Sequence, residues 1–203
     1  KSYKLGSKLR PNDPILDKKI AEADAKLKES QKSADSDKEF NDALQKGDSL
    51  FAKNNYEDAN LSYKGALAIR PNDKIAEEKV RVSSFYLESK LIEKGLSSKD
   101  DNTELMKKDI DDLKKLSVTD DEKKVLVDLQ AKYLDKKSGI FKNQIEKAVS
   151  QKSYQQASSY LKEYKALQNS DNPDLKKSIE LFKSEGLKTA DEMIGKSLYS
   201  QAG

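Results

Sequence analysis

The strongest constraint in this chain is a phrase that occurs twice. Leu9-Arg10-Pro11-Asn12-Asp13 returns 60 residues later as Ile69-Arg70-Pro71-Asn72-Asp73. The likeness extends in both directions. Tyr3 stands before Pro11 as Tyr63 stands before Pro71, Gly6 aligns with Ala66, Ile15 with Ile75, and Lys19-Ile20 with Lys79-Val80. A period of this size marks units too small to bury their own apolar faces, so that they stack on their neighbours. No alternating strand pattern of useful length appears and β-branched residues are sparse, so the chain is expected to be all-α.

The segment from Phe40 to Asp73 shows how one unit is designed. Ala43, Leu44, Gly47, Leu50 and Phe51 recur at helical spacing on a first helix. Asn54-Asn55 end it, because Asn tolerates the left-handed backbone of a C-terminal cap. Tyr56, Ala59, Tyr63, Ala66 and Ile69 follow three or four apart on a second helix, which Pro71 stops. Gly47 and Ala59 are small where two backbones would come close, and Tyr56 and Tyr63 are large enough to fill the space between.

These 34 residues resemble one tetratricopeptide repeat, with the small and large signature positions matched by Ala43, Gly47, Leu50, Tyr56, Ala59, Tyr63, Ala66 and Pro71. Lys46 replaces the usual Leu before the Gly, and Asn54 the usual Gly before the second helix. The wider phrase, from Asp42-Ala43 to Lys79-Val80, is also similar to long repeat arrays of Bacteroidetes-like bacterial cell-envelope proteins. The resemblance implies a right-handed helical-repeat solenoid of antiparallel helix pairs, partly irregular. It favours the cell envelope or periplasm over the cytoplasm.

Other copies are partial. Phe141, Ile145, Ala148 and Val149, followed by Tyr154, Ala157, Leu161, Tyr164 and Leu167, make a second recognisable repeat around 138–171. Tyr3 to Asp13 reads as the tail of an earlier copy, and Ser197-Leu198-Tyr199 echoes Ser49-Leu50-Phe51. Leu105-Met106, Asp109, Leu113 and Leu116 suggest a worn second helix in the middle, with Asp109 where a small residue belongs. The expected organisation is a block over 1–96 containing the well-formed repeat 40–73, a hinge at 97–102, and a more degenerate block over 103–203. Since the chain starts at Lys1 in mid-pattern, it reads as a slice of a longer array.

Helices are expected near 1–9, 14–32, 37–53, 56–69, 73–95, 102–116, 120–136, 138–151, 154–168, 173–186 and 187–201, with some neighbours fusing. Ser33 to Asp37 reads as a polar hinge. Asn12 or Asp13, then Asp73, Asp120 and Asn172, are placed to cap helix N-termini.

Composition narrows the chemistry. The net charge is +3 from 39 basic and 36 acidic residues, and Arg occurs only at positions 10, 70 and 81. Near-balance and scarce Arg argue against nucleic acid as a partner. With no Cys and no His, disulfides, thiolate nucleophiles, Ser-His triads and zinc sites are excluded. No glycine-rich phosphate loop and no run of about 20 apolar residues is present, so no cofactor and no direct membrane insertion is expected of this fragment. The pairs Asp100-Asp101, Asp111-Asp112 and Asp120-Asp121 flank Lys-rich runs and read as solvated faces with local ion pairs. Tyr56, Tyr63, Tyr154 and Tyr164 read as packing residues, while Tyr160 leaves the apolar positions and is expected at the surface.

What remains is binding. Stacked helix pairs present a groove lined by first helices. By family resemblance the groove-facing positions are Asn41, Leu44, Gln45, Asp48 and Phe51 in the first repeat, and Lys142, Asn143, Glu146 and Val149 in the second. The family's clamp for C-terminal carboxylates needs Lys and Asn at two of these positions. Leu44 and Asp48 occupy them in the first repeat, and Glu146 takes the Asn place in the second. The expectation is therefore a non-catalytic protein–protein interaction scaffold that receives a partner peptide or helix. The alternative is a structural spacer or self-assembling envelope array.

Overall fold

The computed structural model describes residues 13–168 and 172–201, leaving aside the side chains of residue 193 and residues 195–201. The expected helix at 1–9, the first copy of the repeated phrase before Asp13, and the Ser197-Leu198-Tyr199 echo lie outside what is described. Among the described residues the fold is all-helical, with seven helices and no strand. They are α1 (Pro14–Ala52), α2 (Tyr56–Ile69), α3 (Lys74–Ser97), α4 (Thr103–Leu116), α5 (Asp120–Ser150), α6 (Tyr154–Leu167) and α7 (Pro173–Gln201).

Local chemistry explains where the helices start. Asp13 Oδ1 accepts from the backbone N–H groups of Ile15 and Leu16, and Asp73 Oδ1 from those of Ile75 and Ala76. The aspartate of the repeated phrase thus caps a helix at each occurrence. Asn172 caps α7 through Asp174 and Leu175. Asp120 does not cap α5: it is the first helical residue, and Thr119 is the cap. Thr119 accepts from the Glu122 N–H, and the Glu122 carboxylate accepts from the N–H groups of Val118 and Thr119. This capping box makes Glu122, only 1% exposed, a structural residue.

Ser33 to Asp37 is not a hinge; it lies inside the unbroken α1. Exposed Ser and Asp weaken a helix by only a few tenths of a kcal/mol each, and no Gly or Pro is present there to break it. Asp37 is also tied by an ion pair to Arg70, the residue that ends α2. The helices expected at 120–136 and 138–151 are likewise one, as are those at 173–186 and 187–201.

The chain forms two compact units, residues 1–87 and 88–203, whose boundary falls within α3. In the first unit, Phe40 of α1, Ala66 of α2 and Ala76 of α3 form a core with Ala43, Leu44, Leu67 and Ile69 packed against it. Working away from the turn, Phe51 meets Tyr56, Gly47 meets Tyr63, and Asp37 meets Arg70. In the second unit, the end of α5 supplies Phe141, Ile145, Ala148 and Val149, α6 supplies Ala157, Leu161 and Tyr164, and α7 supplies Leu175. Tyr160, expected at the surface, is half-buried and packs on this core.

The middle of the chain corrects the expected register. On α4 the buried stripe is Thr103, Met106, Ile110 and Leu113, whereas Leu105 and Leu116 are exposed. Of the expected set Met106 and Leu113 are buried, but the stripe between them runs through Ile110 and not Asp109, which leaves Leu105 and Leu116 outside it. The connection between α3 and α4 is pinned by Lys136, whose ammonium donates to the carbonyls of Gly95 and Ser98 and to Asn102 Oδ1 at 3.1–3.2 Å.

Candidate functional site

The helix pairs α1–α2 and α5–α6 turn in the same way. After α1, Asn55 N–H reaches the Leu50 carbonyl and Asn54 N–H that of Phe51, with Asn54 at φ 58°. After α5, Ser153 N–H reaches Ala148 and Lys152 N–H reaches Val149, with Lys152 at φ 56°. Both are Schellman turns with a left-handed residue after the helix. Asn54 was legible as such a residue. Lys152 was not, because lysine has no special tolerance for that backbone.

Beside each turn a cavity opens. In the first unit Asp48, Phe51 and Ala52 of α1, Tyr63 of α2, and Glu78, Lys79 and Val82 of α3 enclose about 380 Å³. In the second unit Glu146, Val149 and Ser150 of α5 and Lys152 and Tyr154 lie opposite Leu181, Glu185, Lys188, Thr189 and Glu192 of α7, around about 510 Å³. The shift that carries Asp48 onto Glu146 also carries Phe51 onto Val149 and Ala52 onto Ser150. The same three positions of the same turn therefore open to a cavity in both units.

The first cavity has a fixed polar wall. Tyr63 Oη donates to Asp48 Oδ1 at 2.7 Å, and Lys79 Nζ donates to the same oxygen at 2.5 Å while lying 5.5 Å from the centre of the Tyr63 ring. Burial pushes the Asp48 carboxyl up, but the Lys79 and Tyr63 hydrogen bonds outweigh it and hold the carboxyl below its usual range. Burial, and then the Asp48 carboxylate, push the Tyr63 phenol well above its ordinary value. Phe51 contributes an aromatic edge: its ring lies 5.1 Å from Tyr56 and 5.4 Å from Tyr86, both edge-on, and Tyr56 stacks on Tyr86 at 5.3 Å.

The second cavity is more mixed. Lys152 pairs with Glu192 and Lys188 with Glu185, each within 3 Å. On the far side of Tyr154 lies an apolar hollow of about 560 Å³ against Phe182, Gly186 and Leu187. The Tyr154 hydroxyl between the two donates to the Glu185 carbonyl at 3.0 Å.

The remaining expected groove residues divide. Asn41, Gln45 and Asn143 are exposed and line neither cavity. Leu44 packs on the first core. Lys142 faces Asp174 at 3.9 Å. Val149 reaches its cavity from the core, being 5% exposed. The contributions of Lys79 and Tyr154 were missed among the expected groove residues. Lys79 stood in the sequence only as part of the repeat likeness, and Tyr154 only as packing. Two of the three aspartate pairs carry local ion pairs, Lys115 with Asp112, Lys123 with Asp120 and Lys124 with Asp121 at 2.6–2.9 Å, whereas Asp101 of the first pair accepts from the Thr103 hydroxyl. Among the described residues no helix is long and apolar enough to cross a membrane.

No family model matches the chain, and no curated protein and no solved structure matches it either.

Proposed function

We propose that the chain is a non-catalytic docking scaffold of the tetratricopeptide type, a solenoid of antiparallel helix pairs that receives a partner peptide or helix beside its turns. The observation that carries this reading is the pair of matched cavities. Two repeats with different core residues keep Asp48, Phe51 and Ala52, and Glu146, Val149 and Ser150, at the rim of a hollow. Packing alone gives no reason to keep an opening at one position of a repeated turn. Each hollow offers apolar surface with a carboxylate at its edge, a composition suited to an extended or helical segment. The polar fixing of Asp48 by Tyr63 and Lys79 lowers the ordering cost of binding there.

The test is selection of displayed peptides on the intact chain, followed by affinity measurements on variants. Phe51→Leu and Glu146→Lys should each weaken the selected peptides by about tenfold, as central contacts in an interface do. Unchanged affinity in both folded variants would refute the docking reading.

A further inference from the structure

The middle of the chain, which departs from the repeat, carries a third opening of different character. Glu88, Leu91 and Ile92 of α3 and Met106, Asp109 and Asp112 of α4 enclose about 320 Å³ within the second unit. Ile92 and Met106 are buried and form its floor, while Leu91 is 60% exposed at its edge. The lining holds three carboxylates and no cation, in a chain with more basic than acidic residues. The cavities beside the two turns each include lysine. Asp112 is paired with Lys115, but Glu88 and Asp109 have no ion-pair or hydrogen-bond partner among the described residues.

Asp109 lies beside the buried stripe of α4 and is itself half-buried. It shares a face of α4 with Leu105, Asp112 and Leu116, four and three residues apart, and both leucines are exposed. The face is thus apolar at both ends and acidic between, beside a hollow with an apolar floor. Burying these leucines and Leu91 favours an apolar occupant, and the carboxylates favour a cationic one.

We propose that the groove between α3 and α4 is a separate docking site for a basic amphipathic segment of a partner protein, one that seats a long apolar side chain over Ile92 and Met106 and sets flanking lysine or arginine against Glu88 and Asp109. This site is independent of the two cavities beside the turns.

The test uses the full chain and two synthetic helical peptides that carry one photoreactive leucine. One peptide flanks the leucine with lysines one helical turn away on each side, and the other replaces those lysines with glutamates. Fluorescence anisotropy should show the basic peptide binding at least tenfold tighter than the acidic one, and weakening as salt rises. Cross-links should fall on Leu91 or Met106. The double variant Glu88→Gln, Asp109→Asn, which keeps side-chain shape, should lose about fivefold in affinity for the basic peptide. Asp48→Asn and Glu146→Gln should leave that affinity unchanged, which separates this site from the cavities beside the turns. Equal affinity for both peptides, no binding of the basic one, or cross-links elsewhere would overturn the proposal. So would calcium binding by calorimetry, or self-association in sedimentation, that the double variant abolishes, because the occupant would then be a cation or a second copy.

Discussion

Gly47 is the position where helix propensity and packing make opposite demands, and Gly47→Ala decides between them. In an exposed helix interior this change stabilises by about 0.5–1 kcal/mol, because glycine loses more backbone freedom on folding. At Gly47 a Cβ would fall 2.6 Å from Tyr63 Cδ1, 2.9 Å from Cζ and closer still to Cε1. Tyr63 cannot easily yield, since it is 2% exposed and its hydroxyl is bonded to Asp48. Overpacking of this kind costs about 1–3 kcal/mol, so a net loss of about 1–2 kcal/mol is expected after the propensity gain. Gly65 and Gly139 supply the controls, because a Cβ at either meets nothing within 4 Å. Gly65→Ala and Gly139→Ala should stabilise by about 0.5–1 kcal/mol. The assay is urea unfolding followed by circular dichroism, with Gly47→Ala also made in a Tyr63→Leu background. Removing the ring removes the clash, so the two changes should be strongly non-additive. Gly47→Ala as stable as wild type, or additive with Tyr63→Leu, would refute the assignment of Gly47 to a close approach.

Four further outcomes follow from the same geometry. Gly95→Ala should be nearly neutral in urea unfolding: its Cβ would fall on the Met106 thioether, which is flexible, and the change of about 1 kcal/mol in helix propensity offsets the shift. Glu122→Ala removes the acceptor of two backbone N–H groups at the start of α5 and should destabilise by about 2 kcal/mol in the same assay. Lys152→Asn places a residue tolerant of positive φ in the second turn and should raise Tm by about 2–4 °C in a thermal scan. The Asp48 carboxyl is held below its unfolded value, so its contribution is fully present above the ordinary carboxylate pKa of about 4 and fades as pH falls through the folded value. Asp48→Asn should therefore lower the urea midpoint at pH 7, and the gap to wild type should close at pH 3.

Most of the helical layout was legible, because it rests on spacing and punctuation. The repeated aspartates at 13 and 73 cap helices, and Asn54 ends one, each for a reason contained in the residue type. Ser33–Asp37 misled because polarity was read as a break, although only glycine, proline or a competing cap would supply one. The Thr119–Glu122 capping box was present in the sequence, but the neighbouring Asp120 is an equally good cap in isolation. The cavities were less legible. Asp48 and Glu146 could be placed from the repeat, but the third wall comes from α3 or α7 and depends on how a following helix lies across the pair. Lys79 and Glu185 therefore carried no local signal for this role.

The pairs α1–α2 and α5–α6 share a turn while their cores differ. Phe40, Ala43, Gly47, Tyr63 and Ala66 of the first correspond to Ser138, Phe141, Ile145, Leu161 and Tyr164 of the second. Where the first puts a ring against a glycine, the second puts leucine and isoleucine; where the first has two alanines, the second has Phe141 and Tyr164, their rings stacked 5.9 Å apart. The bulk has moved by one turn of helix, and interior density can be kept by such exchanges when total volume is kept. Because the exchange leaves identity at these positions free, a sequence match there is a poor guide to a related unit. The turn does not share this freedom. Asn54 and Lys152 adopt the same left-handed backbone, although only the first is suited to it. Lys152 also pairs with Glu192 of α7 at 2.9 Å, so this turn is tied to the following helix by an ion pair as well as closed by its own backbone hydrogen bonds.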